Sequence, residues 1–434
     1  MLFYLLKTNK AGVKYMLKLL IITDDFTGAL DTGIQFTKQG VKIQIAVEQN
    51  PENISVSKNT QVLVIDLETR PLAARQAYNI VKNVMIWAKN KRIDYIYKKT
   101  DSALRGNVGA ELKAVTDVYE QCIYFIPAFP KIGRITKNGK HYIDNVPLSE
   151  TAFAKDPFEP VIHSHIKDII TKEYQNIKVC CVQKQMNTSE YLHKINQGVV
   201  VFDAETEQDM KNRLYELNQS NQLKLLAGCA GLAEFLPDIL ELKGTIEINY
   251  EKKKGIYVAC GSLNPITKNQ MEYACQNGFK RVNLSANQKL SLEYYDTEEG
   301  KQFLNNLENI CKNHKCVIVD TFDIKQHETE KLAQQKGMSK EDVRFAIAKC
   351  HGKIVKHMLQ QGMDYTIFMT GGDTLMGLMK NLENTELTPV CEISQGVVLS
   401  ILKWNEKKLQ VISKSGGFGN QDVFLKTAEK LIQS

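Results

Sequence analysis

At 434 residues the chain exceeds what one ordinary hydrophobic core serves, so two domains are expected. Its 43% hydrophobic and 24% charged residues are those of a soluble globular protein. The formal net charge of +7 comes without an arginine-rich block or a basic stripe interleaved with aromatics. That suits small anionic ligands or mere solubility more than nucleic acid, so no nucleic-acid partner is expected.

Met1 to Leu6 is apolar but too short for a signal or membrane segment, so no membrane association is expected. Met16 directly precedes the first strand, and residues 1–15 read as a dispensable extension. Leu19-Leu20-Ile21-Ile22 predicts a strand buried on both faces, as in a parallel sheet. It breaks into Thr23-Asp24-Asp25-Phe26-Thr27-Gly28, and a helix follows with Leu30, Ile34 and Thr37 on one face and Gly40 as its stop. Asp24 and Asp25 therefore stand at the carboxyl end of a strand, where open α/β sheets bind ligands. Two buried like charges are costly, so chemistry or a cation explains them better than packing. The plainer alternative is one Asp capping the helix and the other solvated.

Val41, Ile43, Ile45 and Val47 alternate with polar residues and predict a half-buried strand. Val62-Leu63-Val64-Ile65 is a buried strand ending at Asp66, followed by a helix with Pro71 in its first turn. Tyr95-Ile96-Tyr97 is the next strand, Val108, Leu112 and Val115 mark a helix, and Ile123 to Ile126 is a further strand. The stretch Lys98 to Asn107 concentrates Lys98, Lys99, Asp101, Ser102, Arg105 and Gly106 between strand and helix. Lys and Arg with hydroxyls suit a carboxylate or phosphate, the alternative being a capped turn with surface ion pairs. Pro127-Ala128-Phe129-Pro130 through Gly133-Arg134 to His141-Tyr142 is too polar and glycine-spaced for a buried element. It reads as a binding loop with Arg134 as candidate and His141 as a secondary one.

Lys252-Lys253-Lys254-Gly255 reads as a linker, giving domains over 16–245 and 255–434. Ile256 to Cys260 is then a fresh strand, Val317 to Val319 another, and a helix runs through Ile347, Ile354 and Met358. Thr366 to Met369 and Leu409 to Ile412 are the later strands. The whole predicts an α/β protein of two domains, each a mainly parallel sheet flanked by helices. Three strands run into glycine turns: Gly261-Ser262, Gly371-Gly372-Asp373-Thr374, and Ser415-Gly416-Gly417-Phe418-Gly419. Glycines let backbone N–H groups approach an anion, and a helix N-terminus adds partial positive charge, so three such turns favour a nucleotide. Neither GxxxxGK[ST] nor a GxGxxG opening a helix occurs.

Ten cysteines are scattered without a CxxC pair, the pattern of reduced thiols in a cytoplasmic protein. Cys311, His314 and Cys316 lie close in sequence, but no second ligand pair accompanies them, so no metal site is expected.

Taken together and in this order, these segments resemble the four-carbon acid sugar kinases, which phosphorylate threonate, erythronate and their oxo relatives with ATP. The matching stretches are Thr23 to Ala29, Lys99 to Asn107, Pro127 to Pro130 with Gly133-Arg134, Tyr142 through Val146-Pro147-Leu148, Ala230-Gly231-Leu232-Ala233, and the three glycine turns. Two positions depart: Ala103 stands where a hydroxyl residue is expected, and Cys229 where Ser is usual. The resemblance implies an N-terminal domain for the acid sugar and a C-terminal domain for ATP. It implies that Ser262, Gly371, Gly372, Asp373, Thr374 and Gly416 contact the nucleotide, with Mg²⁺ bridging the phosphates. Asp24, Asp25, Lys99, Asp101, Ser102, Arg105 and Arg134 would line the substrate side. On that reading Arg105 and Lys99 take the substrate carboxylate, with Arg134 as a supplementary donor. Asp25 is the general base, its pKa raised by a second carboxylate, and Asp24 or Asp101 are its alternatives. The partners implied are a small sugar acid and ATP, with a homodimer as a possible assembly. Two other readings are a sugar-acid sensor without turnover and a haloacid-type phosphatase. The latter needs a carboxylate nucleophile where this chain has Thr23.

Overall fold

A computed structural model of the chain describes residues 17–156, 159–191, 194–246, 250–262, 264–324, 327–414 and 417–433. The chain divides into two compact units between Ile246 and Glu247.

The first unit is built on eight strands that pair in parallel. They are β1 (Leu19–Thr23), β2 (Ile43–Val47), β3 (Val62–Asp66), β4 (Tyr95–Lys99), β5 (Cys122–Ile126), β9 (Val179–Val182), β10 (Gly198–Phe202) and β11 (Leu225–Gly228), in the order β2-β3-β1-β4-β11-β5-β10-β9. Every residue of β1 and β3 is buried, which is why both are continuous aliphatic runs. Strand β2 alternates in sequence yet is buried on both faces, Gln44 included. The Gln44 amide tolerates this because it donates to Ser55 O and accepts from Ser57 N, so the half-buried strand expected there is corrected. Helices Ala74–Lys91 and Val108–Tyr119 cover the sheet through Val81, Val84, Met85, Leu112 and Val115. Pro71 lies in the turn before the first of these and not in its first helical turn. The polar stretch expected as a loop instead folds as an antiparallel sheet of β6 (Arg134–Lys137), β7 (Lys140–Ile143) and β8 (Val146–Pro147).

The second unit holds β12 (Gly255–Cys260), β13 (Lys280–Asn283), β14 (Cys316–Asp320), β15 (Tyr365–Thr370), β16 (Glu386–Ser394), β17 (Val397–Trp404) and β18 (Lys407–Lys414). Their order is β13-β14-β12-β15-β18-β17-β16, parallel up to β18 and antiparallel through β17 and β16. Its core joins Ile256, Val258, Ile318, Phe368 and Ile412 to Phe424 and Leu431 of the last helix.

In each unit the chain departs to opposite sides of one strand. β1 has β3 and β4 as neighbours, and β12 has β14 and β15. Such a switch point opens a crevice at the strands' carboxyl ends, and Asp24 and Gly261 stand at those two ends. All ten cysteines are free, and no described helix is long and apolar enough to cross a membrane.

Candidate active site

At the mouth of β1 the two carboxylates take different places. Asp25 caps the helix Phe26–Thr37, its Oδ1 accepting from the Gly28 amide at 3.0 Å. Asp24 is buried behind it. The cation beside them is Arg70, and of the alternative reading the capping holds for Asp25 while Asp24 is buried and not solvated. Arg70 Nε donates to Asp24 Oδ2 at 2.8 Å, and a terminal nitrogen lies 2.7 Å from Asp25 Oδ1 and 3.8 Å from Asp101 Oδ1. Burial pushes the Asp24 carboxyl up, but Arg70, Lys98 and Lys99 together hold it below the ordinary carboxylate value. Asp25 Oδ1 is thus used twice, while Oδ2 has no bonded partner among the described residues.

Arg70 escaped the sequence reading because it stands alone in the turn after β3, outside any dense motif. Topology was the available signal: the parallel pairing of β1 with β3 brings the turns after both strands together. Asn107 fixes the Arg70 turn by donating to the Thr69 and Leu72 carbonyls, each at 2.8 Å. Gly106, at φ +80°, lets Arg70 pass; a Cβ there would meet Arg70 Cγ at 2.9 Å.

Strand β4 runs further than the tyrosines suggest and carries both lysines. Lys98 is fully buried, with Nζ 2.9 Å from Glu111 Oε2 and hydrogen-bonded to Lys99 O at 2.5 Å. Thr69 donates to the other oxygen of Glu111, and burial lifts the Glu111 carboxyl despite Lys98. Lys99 donates to Thr100 O at 2.8 Å, with its ammonium close to Gly28. Asp101 is the anchor of the following turn. Its oxygens take Arg105 Nε at 2.9 Å and a terminal nitrogen at 3.0 Å, plus the amides of Ala103 and Arg105. Burial would raise its pKa, but Arg70 and Arg105 outweigh that and hold it well below the carboxylate range. Arg105 also reaches Asp156 at 3.5 Å.

Arg134 opens β6 and differs from the other two arginines. Its Nε is enclosed without a hydrogen-bond partner, and its guanidinium makes no ion pair among the described residues. Burial lowers its pKa, against the opposing pull of Asp101 and Asp144. His141 is buried, with Nε2 donating to Ser102 O at 3.0 Å and Nδ1 facing the Thr136 hydroxyl at 3.2 Å. It therefore props the Ser102 turn from behind and does not line the crevice.

In the second unit the register aligns Cys260 with Thr370 and Thr370 with Lys414, so the turns that follow all three strands are neighbours. Gly371, at φ +93° and ψ 143°, is the cap of the helix Gly372–Asn381, a conformation open essentially to glycine. Gly371 N donates to Lys414 O at 2.8 Å, and the Thr374 hydroxyl turns back to Thr370 O at 2.9 Å. Ser262 Oγ accepts from Asn264 N at 3.3 Å, and Asp373 pairs loosely with Arg344 at 3.6 Å. Gln270 ties down the third turn by donating to the carbonyls of Phe418, Gly419 and Asn420. Gly416 lies outside the described residues. Among the described residues no three His, Cys, Asp or Glu side chains group so as to hold a metal ion.

The chain matches a sugar-binding N-terminal domain over residues 19–236 and a nucleotide-binding C-terminal domain over residues 257–424. It is 28% identical over 422 residues to a D-threonate kinase of Salmonella typhimurium, covering 93% of this chain and 96% of that one. It is 23% identical over 437 residues to a 3-oxo-tetronate kinase of Pectobacterium atrosepticum, covering 96% and 99%. The solved structure of Haemophilus influenzae protein HI1011 superposes with a TM-score of 0.73 at 21% identity, covering 94% and 98%, a likeness of fold.

Proposed function

The chain belongs to the four-carbon acid sugar kinase family, and from that premise we propose that it uses ATP to phosphorylate the terminal hydroxyl of a four-carbon sugar acid, giving the 4-phosphate. Threonate, erythronate and the 3-oxo-tetronates are the substrates in view. The observation that carries the reading is the division of labour at the mouth of β1. Asp25 is held there through one oxygen, and in the same unit the Arg134 guanidinium makes no ion pair among the described residues.

Asp25 is the general base. Its Oδ1 is held by Gly28 and Arg70, so Oδ2 keeps a fixed direction for a substrate hydroxyl. Both oxygens of Asp101 are bound to Arg105. Asp24 Oδ1 has no hydrogen-bond partner among the described residues, but Asp24 is buried behind Arg70, so Asp25 is the more accessible base. The same accounting revises the carboxylate site. Arg105 is engaged by Asp101 and Asp156, so Arg134 becomes the principal donor to the substrate carboxylate, with Lys99 and the Ser102 turn beside it. As the hydroxyl oxygen forms its bond to the γ-phosphorus, Asp25 Oδ2 accepts its proton and the bond to ADP breaks.

The nucleotide is a substrate that would bring its own Mg²⁺. The residues that fit its phosphates are the backbone amides at Ser262, Gly372 to Thr374 and Gly417; the Gly371 amide is taken by Lys414 O, and its conformation sets the start of the helix. ADP release with Mg-ATP tests the proposal across D- and L-threonate, D- and L-erythronate and the 3-oxo-tetronates, with glycerate as control. Release with one four-carbon acid is expected. Silence across the panel from a folded, ATP-binding protein would overturn it.

A further inference from the structure

Arg105 and Arg134 share one aromatic surface. The Arg105 guanidinium carbon lies 5.3 Å from the centroid of the Phe153 ring and that of Arg134 lies 5.2 Å from the same centroid. Phe153 is half-buried and packs against the first unit's core, within the short helical turn Ala152–Lys155. Thr151 caps that turn, its hydroxyl accepting from the Phe153 amide and donating to Leu148 O. The ring is therefore fixed from its own backbone and from beneath.

Two guanidiniums on one ring repel each other, and the structure relieves only one of them. Arg105 has Asp101 and Asp156. Arg134 has the aromatic face and no acceptor for its enclosed Nε. Its backbone is clamped, with Phe129 and Arg134 exchanging both N–H···O bonds at 2.8 and 3.1 Å, so the side chain rises from a rigid root. A planar cation held against a ring, with its fork unoccupied, is prepared for a planar bidentate anion, and a carboxylate fits that description.

We propose that Phe153 is a positioning residue for sugar-acid recognition: its ring holds the Arg134 fork in the carboxylate-binding pose and keeps it apart from the Arg105–Asp101 pair. The inference rests on the acid-sugar reading of this unit and adds to it a residue that never touches the reacting atoms. The aromatic face, and not apolar volume, is what the role requires, because the attraction comes from the ring quadrupole.

The test is calorimetric titration of the full-length protein, and of its Phe153→Leu and Phe153→Tyr variants, with the four-carbon acid that the wild type turns over. Steady-state KM and kcat are measured alongside, with ATP binding as the internal control. Phe153→Leu keeps a large apolar side chain and is expected to weaken acid binding about tenfold, the size of two lost cation–aromatic contacts. KM should rise with it, while kcat and ATP affinity stay near wild type. Phe153→Tyr, which keeps the ring, should restore binding to within about twofold. Equal binding by wild type and Phe153→Leu would overturn the inference, as would equal losses in both variants. A fall in kcat at constant KM would overturn it too. Failure of the wild type to bind any acid of the panel would instead overturn the acid-sugar reading, and this inference with it.

Discussion

On the proposed function the two units would solve one problem, gathering an anion at a strand mouth, with different materials. In the first, Asp24, Asp25, Arg70, Lys98, Lys99, Asp101, Arg105 and Glu111 form a largely buried web of charged side chains. In the second, the turns after β12, β15 and β18 offer backbone amides, with Lys414 buried at the end of β18 and Asp373 half-exposed, 3.6 Å from Arg344. Side chains in a fixed web can discriminate one small acid from another by direction and distance. Backbone amides recognise what every nucleoside triphosphate carries. On the proposed function the difference assigns specificity to the unit whose charged side chains are gathered into one buried web, since there each misplaced group leaves another unpaired.

The largest expected effect separates the units chemically. Asp25→Asn should lower turnover by about 10²–10⁴-fold, the usual worth of a general base, with ATP affinity unchanged. Asp373→Asn, made at the other mouth, should change turnover by less than about threefold, as an exposed pair contributes little. Comparable losses in kcat from both variants would dissolve the contrast. Next comes the web itself. Lys98→Met leaves Glu111 as an uncompensated buried acid and should cost about 3–5 kcal/mol of stability in urea unfolding. Adding Glu111→Leu should recover most of that loss, because the pair is replaced by apolar packing. Gly371→Ala probes the opposite material. It forces a side chain into the φ +93° conformation and should cost about 1–3 kcal/mol, seen as weaker ATP binding with sugar-acid binding intact.

Much of this was legible before any coordinates, and the reason is physical. Strands β1, β3, β12 and β15 are buried on both faces, so their aliphatic runs stand out without periodicity. The dense motifs at Asp24-Asp25 and Lys99 to Arg105 marked the strand mouth where the structure gathers its charged web, because short-range clustering of charge survives in sequence. Three things stayed hidden. Arg70 joins the site through the pairing of β1 with β3, a relation 43 residues long in sequence between Thr23 and Asp66. The hairpin carrying Arg134 was hidden because β6 and β7 are short, polar and only partly buried. Which carboxylate is anchored and which is available depends on single oxygen atoms, and no residue pattern encodes that.

The smallest expected effect uses one buried histidine from each unit. Burial pushes His141 and His351 both down to about 4, so each is neutral in the folded protein at pH 7. A histidine near 6.5 in the unfolded chain takes up a proton before the folded one does. Stability is therefore complete above about pH 6.5 and declines as pH falls toward 4, by about 1 kcal/mol per histidine at pH 6. The two differ in what their neutral form supplies. His141 joins Ser102 O to the Thr136 hydroxyl, so His141→Phe should lose stability at every pH and loosen the substrate turn. His351 is packed behind Gly261 with neither ring nitrogen hydrogen-bonded, the Cys260 backbone and Asp320 being the polar groups whose influence it feels. His351→Leu should therefore keep near-native stability at pH 7 and flatten the decline between pH 7 and pH 5. Urea midpoints of the three proteins at pH 5, 6 and 7 decide the matter. Parallel pH profiles for wild type and His351→Leu would show that the second unit's buried histidine carries no acid-side cost, and the contrast between a bonded and an unbonded imidazole would fail.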